Sequence, residues 1–398
     1  MDSYKMPRLV FQRHGMLGED NWHSVLISLL RGLAALIVAA AHLRAAMYPG
    51  LHAIANPPLW FKGFAFFTGF AHQAVIVFFV ISGWLVGGSL LNRIGQPQAI
   101  ANYAVDRVTR LWTVLLPTFV LTLIFAVGTG AITQSEIDYS PNNKYSVITF
   151  AGNLIGLQHV LLPDFGGNFA LWSLANETWY YLAFPLLALV WISRSGVARF
   201  AALVALLLLS SILPGAIVGY FCIWLLGVAF SRIRIECGNG MRWAWAVLLV
   251  AGASYYRLTG ELDMYDLTTL KQDVVCGLLY LVLLASFQFK ASPASMLVRP
   301  LSKVGNFFAE FSFSLYVLHV PLIGVLHHWS TTRLGLGQLS PAVPLHTAIY
   351  IGMLAALVIS AYLSYRLFES QTQRIRRAAK DLLLRRALPR AMSQPSER

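Results

Sequence analysis

Charge is what this sequence has least of. Only 12% of its 398 residues are Asp, Glu, Lys or Arg, while 57% are hydrophobic, and the mean hydropathy is +0.62. A soluble domain carries about 25% charged residues, so a water-soluble globule is excluded and a polytopic membrane protein is expected. Cysteine is scarce as well. Cys222, Cys237 and Cys276 are odd in number and widely spaced, which argues against a disulfide framework and against a metal site. No cleavable signal peptide is evident, because residues 1–22 are polar and lack a small-residue cleavage pattern. An internal repeat is also missing, which weakens a transporter reading. Acids are outnumbered, 17 to 30, leaving a net charge of +13. The basic residues are spread among the connections between apolar runs, so the excess reads as a topology signal and no nucleic-acid partner is expected.

What is present is a series of apolar runs near 24–47, 66–92, 111–132, 148–163, 173–192, 197–212, 214–230, 243–258, 271–289, 305–328 and 345–368. Lys and Arg favour cytoplasmic loops. Basic connections lie at the N-terminus (Lys5, Arg8, Arg13), 93–110, 194–199, 232–242, 290–303 and after Arg374; acidic or neutral ones lie at 133–147 (Glu136, Asp138), 260–266 (Glu261, Asp263, Asp266) and 330–344. The alternation works with about ten spans and fails if 148–163, which is short and holds Asn153, Gln158 and His159, is counted as a crossing. The expected fold is an all-α polytopic membrane protein with about ten transmembrane helices and both termini cytoplasmic. The segment near 148–163 is then extracytoplasmic or re-entrant. The basic amphipathic tail RIRRAAKDLLLRR reads as a solvated or headgroup-bound helix.

Several runs carry groups that hydrocarbon disfavours. In RGLAALIVAAAHLR, Arg31, His42 and Arg44 sit inside one apolar stretch. An ionisable group there costs at least about 2.5 kcal/mol, so it usually has a partner and a task. Arg31 and His42 are roughly 16 Å apart along a helix axis. In LWSLANETWYYLAFP, Glu177 falls within the first two turns of a span. Topology places it level with His42, so the two are expected to form a base and its orienting carboxylate. Trp172, Trp179, Tyr180 and Tyr181 read as interfacial belt residues or a sugar-stacking platform. Arg107 and Arg110 share a helix face and suit either membrane anchoring or a phosphate clamp. Ser82-Gly83 and Gly87-Gly88 read as sites of close helix packing. Tyr316 and His319 are three apart on one face, and Arg366 and Glu369 are expected to pair locally.

Together these motifs resemble the acyltransferase-3 family of integral-membrane acyltransferases. The resemblance spans nearly the whole chain. It rests on the Arg31–His42 spacing, FFVISG at Phe78 to Gly83, the Arg107/Arg110 pair, SLANE at Ser173 to Glu177, SFSLYVLHVPL near the end and SYRLFE. The wording around FFVISG and LWSLANETWYY looks most like stand-alone members that modify exopolysaccharide or capsule. The chain departs from the family pattern at Ser28, where many members have an acid, at Ile76 and Val77, where many have Asp, and at Pro117, which lies further past the arginine pair than usual.

The resemblance implies transfer of an acyl group, acetyl in the simplest case, from cytoplasmic acyl-CoA to a hydroxyl of an extracytoplasmic or lipid-linked saccharide. Arg107 and Arg110 would hold the nucleotide phosphates, with Arg31 deeper in. His42 would serve as general base or transient acyl acceptor, oriented by Glu177. Ser82, Tyr316 and His319 are candidates for stabilising the developing oxyanion, with Trp172, Ser173 and Tyr180 alongside as substrate contacts. The implied setting is the bacterial inner membrane and needs no metal. Residues 1–22 would form a cytoplasmic segment, 23–370 the transferase domain and 371–398 a basic cytoplasmic tail. The rival readings are a transporter and a non-catalytic scaffold of a polysaccharide assembly system.

Overall fold

The computed structural model describes residues 6–14, 21–133, 136–259, 265–289 and 298–384. Lys5, Glu261, Asp263 and the tail beyond 384, all used in the topology argument, lie outside the described residues. The chain is an all-α membrane protein; among the described residues it has one short two-stranded ribbon, β1 (Arg8–Phe11) against β2 (Ile233–Glu236), antiparallel with Arg8 opposite Glu236.

The helices follow the apolar runs. They are α1 (Trp22–Met47), α2 (Leu59–Thr68), α3 (Ala71–Ser82), α4 (Gly88–Arg93), α5 (Ala99–Gly128), α6 (Val147–Leu154), α7 (Trp172–Ile192), α8 (Gly196–Ile212), α9 (Gly215–Phe230), α10 (Asn239–Thr259), α11 (Leu270–Ser286), α12 (Val298–Leu334), α13 (Pro344–Leu367) and α14 (Thr372–Leu383). Among the described residues, Trp22–Ala53, Leu59–Arg93, Ala99–Gly128, Pro300–Leu334 and Pro344–Leu383 are long and apolar enough to cross a membrane. Exposed Leu203, Leu207 and Leu208 on α8, Val247 and Val250 on α10, and Ile351 and Ile359 on α13 give the bundle an apolar exterior suited to lipid.

The 148–163 run does not make a long helix. α6 has eight residues, about 12 Å at 1.5 Å per residue, against a hydrocarbon core of about 30 Å. Its polar residues then fold the loop back. Asn153 donates to the Pro163 carbonyl at 3.0 Å and accepts from Phe165 N–H at 2.9 Å, and Gln158 donates to the Leu171 carbonyl at 3.0 Å. This compact loop delivers the chain to the start of α7.

Two glycine contacts set the inner helices. α3 continues into α4 through a π-helical turn at Gly83–Gly87, and there it crosses α9 at close range. A Cβ on Gly83 would strike the Trp224 carbonyl, and one on Gly227 would strike the Val80 carbonyl. The small residues of this run therefore serve packing, as expected. α1 runs parallel to α12, with Leu29 against Gly305 and Gly32 against Phe308. The core around them is aromatic, with Phe79, Tyr180, Tyr220 and Trp224 all buried. A buried network joins α3, α9 and α11, in which the His72 imidazole lies 2.8 Å from Asp273 and the Tyr220 hydroxyl donates to Asp273 at 2.5 Å.

One end of the bundle collects basic residues. Trp22 N–H donates to the Phe289 carbonyl and Gln12 N–H to the Arg232 carbonyl, while Arg232 reaches Asn92 at 2.7 Å. The start of α1 and the ends of α4, α9 and α11 thus meet there. The tail helix α14 is at this end too. It is docked on the protein rather than free: the Thr372 hydroxyl lies 3.0 Å from that of Thr113 on α5, and Lys380 lies 2.7 Å from Asp106. One face finds a protein carboxylate, while Arg374, Ile375, Arg377 and Leu382 stay exposed, open to the expected solvent or headgroups.

Candidate active site

Arg31 and His42 are eleven residues apart, about three helical turns, so they share one face of α1. That face meets α12. Arg31 donates to the Ser312 hydroxyl at 3.5 Å, and further along His42 Nδ1 lies 2.8 Å from His319 Nε2. The two imidazoles are stacked, with ring centres 5.0 Å apart, and the edge of Phe169 closes the other side of His42. His319 is fully buried, and its Nδ1 lies 2.6 Å from the Tyr316 carbonyl.

That last contact assigns the protons. A carbonyl can only accept, so His319 Nδ1 carries the hydrogen. In neutral His319 the other nitrogen, Nε2, must then accept, and the donor facing it is His42 Nδ1–H. A neutral His42 therefore has its Nε2 unprotonated, the form a general base requires.

Toward the basic end lies a cavity of about 420 Å³. Its walls carry Arg31 from α1, Arg107 and Arg110 from α5, Arg376 from α14, Glu177 and Tyr181 from α7, and Ser82 from α3. At the His42 end it is bounded by Ser173 and Tyr316, whose hydroxyls are 2.8 Å apart. Tyr316 in turn packs against His319, with ring centres 5.8 Å apart. A continuous arrangement thus runs from arginines through two hydroxyls to two imidazoles.

The arginines differ in their commitments. Arg110 is ion-paired at 2.6 Å to buried Glu369 and sits over the Phe313 ring. Arg107 lies between the rings of Tyr103 and Tyr181, 5.8 Å from each centre, and its buried Nε has no hydrogen-bond partner. Arg31 lies within electrostatic reach of Arg110 as well as of Glu369 and Glu177, acids carried by other elements.

Several expectations need correcting. Glu177 does not orient His42. The Tyr181 hydroxyl donates to it at 2.9 Å, Ser82 bonds it from α3, and it faces the arginines. The expected equal depth does not hold, because Glu177 lies toward Arg31 and the other arginines; His319 from α12 fills the place beside the imidazole. With both ring nitrogens engaged, His319 is not a free donor for an oxyanion. Glu369 does not pair with Arg366. Helix α13 ends at Leu367, which turns Glu369 inward to Arg110 and to the Ser314 hydroxyl at 2.6 Å, while Arg366 donates to Tyr362. Tyr180 points into the core and donates to the Ile217 carbonyl at 2.9 Å, whereas its neighbour Tyr181 lines the cavity. Ser82 accepts from Trp224 Nε1 at 3.1 Å, and Trp172 packs on Tyr265 with ring centres 3.7 Å apart.

Residues the motif reading passed over include Ser312 and Ser314, on the same helix as Tyr316, and Arg376. They lie inside stretches already marked, Ser312 and Ser314 in SFSLYVLHVPL and Arg376 in RIRRAAKDLLLRR, and the i, i+4 spacing of Ser312 to Tyr316 puts those two on one face.

Compared with known families, residues 25–365 match the acyltransferase-3 model, described as an acyltransferase domain. The chain belongs to the acyltransferase-3 family. Neither the comparison with curated proteins nor that with solved structures returned a match. As an acyltransferase-3 protein with an apolar helical bundle, the chain is a multi-pass membrane acyltransferase. The match ends before Glu369, Thr372 and Arg376, so the cavity wall is completed from outside the matched domain.

Proposed function

We propose that the protein moves an acyl group, acetyl in the simplest case, from acyl-CoA to a hydroxyl of an extracytoplasmic or lipid-linked saccharide. The observation that carries this reading is the cavity's polarity: four arginines at one end and an imidazole with an assigned basic nitrogen beyond the other. Arg31, Arg107, Arg110 and Arg376 suit the phosphates of a nucleotide donor, since guanidinium binds phosphate oxygens in a matched fork. The cavity volume is that of a small-molecule site, within the usual range of about 300–1,000 Å³. An extended pantetheine arm would run from the arginines toward Ser173 and Tyr316.

In this reading the basic end is cytoplasmic, both termini lie on that side, and about ten helices cross an inner membrane. The acceptor reaches His42 from the other side. His42 Nε2 takes the proton of the acceptor hydroxyl as its oxygen attacks the thioester carbonyl. The new C–O bond forms, the C–S bond breaks, and the departing thiolate takes that proton. His319 accepts from His42 Nδ1–H throughout and steadies the imidazolium. Of the hydroxyls near the carbonyl, those of Ser173 and Tyr316 are best placed to meet the developing negative charge. His42 as a transient acyl carrier uses the same unprotonated Nε2.

The test is turnover of labelled acetyl-CoA by purified protein in vesicles with a saccharide acceptor. Labelled ester that is absent with His42→Ala supports the reading. Solute uptake without acyl transfer would indicate a transporter, neither uptake nor ester from the wild type would leave a scaffold, and unchanged ester with His42→Ala would remove His42 from the chemistry.

A further inference from the structure

The tail helix α14 brings more charge to the cavity mouth than anchoring requires. Asp106 is a single carboxylate with only 7% of its side chain exposed. It faces three cations: Arg93 at 2.9 Å, Lys380 at 2.7 Å and Arg376 Nε at 3.4 Å. One negative charge against three positive ones leaves a local surplus. The helix has other fastenings, because Thr372 bonds Thr113 and the turn before it is held by the Glu369–Arg110 pair. Arg376 does not simply cover Asp106; it also forms part of the cavity wall. Its side chain and that of Lys380 stay accessible, 20% and 27% exposed.

We propose that Arg376 and Lys380 bind a terminal phosphomonoester of the donor's nucleotide at the mouth of the cavity, and that Asp106 positions them. This rests on the reading of the donor as acyl-CoA, whose ribose carries such a group at the 3′ position. A phosphomonoester is close to dianionic at neutral pH, so it matches the surplus that one carboxylate leaves. The other cavity arginines, Arg31, Arg107 and Arg110, serve the pyrophosphate. The two clusters together would distinguish CoA from smaller acyl carriers. The same chemistry is available from a phospholipid headgroup at the membrane surface, so the experiment must separate the two sources.

Two measurements do so. The first is binding of adenosine 3′,5′-bisphosphate against 5′-AMP to the purified protein in phosphatidylcholine vesicles, with and without phosphatidylglycerol. The bisphosphate is expected to bind roughly tenfold tighter, the scale of one charge-assisted hydrogen bond. That preference should vanish in Arg376→Gln and in Lys380→Gln and survive in part in Arg376→Lys. The second is KM for acetyl-CoA against acetyl-3′-dephospho-CoA. The wild type should favour the former by a similar factor, and Arg376→Gln should raise KM only for the phosphorylated donor, with kcat unchanged. A wild type that binds both nucleotides equally overturns the proposal. So do variants that lose binding only when phosphatidylglycerol is present, which would make this a lipid site, and variants that weaken both donors alike, which would make it a fastening. If the nucleotide preference holds but neither donor turns over, the acyl-transfer reading fails while the phosphate site stands.

Discussion

His42 and His319 lie 277 residues apart in sequence and 2.8 Å apart in space, with the Tyr316 carbonyl fixing the proton on the far nitrogen of His319. This neutral partner does for His42 what a carboxylate does for the histidine of many transferases. It selects the tautomer, although it adds no negative charge to a buried setting. Such a device suits a membrane interior, where an extra carboxylate would need its own compensating cation.

His319→Ala is therefore expected to lower kcat by about 10²-fold or more, the scale of general-base catalysis, while KM for acetyl-CoA stays near the wild-type value. Glu177→Gln should show the converse, a change in donor KM larger than its change in kcat, because Glu177 faces Arg107 and Tyr181. Steady-state kinetics of both variants decide it. A kcat loss in Glu177→Gln as large as in His319→Ala would restore the carboxylate as the orienting group.

Glu369 is almost fully buried and holds Arg110 and Ser314. Removing one partner of a buried pair leaves an uncompensated charge and typically costs about 3–5 kcal/mol. Glu369→Ala should show a clearly lower thermal unfolding temperature in detergent, and Arg366→Ala should not. Equal effects from the two would return Glu369 to a local pair with Arg366.

At the crossing of α3 and α9, Gly83→Ala should destabilise by about 1–3 kcal/mol, because its methyl meets backbone rather than a movable side chain. Gly63→Ala on α2 meets nothing within 4 Å and should be neutral or slightly stabilising, since Ala is the better helix former by about 0.5–1 kcal/mol. Thermal melts of the two variants side by side test the contact, and similar melts would argue against it.

In the loop before α7, His159 lies 3.1 Å from Asp164. The hydrogen bond to Asp164 raises its pKa above the ordinary value, against the opposing pull of burial. A raised folded value stabilises fully below the unfolded pKa of about 6.5 and loses that stabilisation as pH rises through the folded value. The wild type should lose stability over that window relative to Asp164→Asn. Half-exposure of the imidazole keeps the effect small. Melting temperatures across pH 6 to 9 (roughly the titration range of a raised imidazole) provide the check, and parallel curves would show that the pair contributes nothing.

The one-dimensional pattern carried much of this. Apolar runs marked the helices, and the polar residues of 148–163 marked a run that forms only an eight-residue helix. Arg31, Arg107, Arg110, Glu177 and Ser82 stood out as costly or unusual in such runs, and they line one cavity. Sequence spacing placed each group at a depth and on a face of its own helix, because both follow from 1.5 Å and 100° per residue. Partnership between helices does not follow from spacing. Whether α7 or α12 presents its polar face to His42 depends on which helices pack together, and here Gly32 and Gly305 let α12 approach α1. In the same way, Glu369 turns to Arg110 because α13 ends two residues earlier, and Arg376 reaches the cavity because α14 folds back on Asp106. The sequence by itself determined a membrane bundle, its family and the position of each charged group along its own helix; close packing between distant helices decided which of those groups touch.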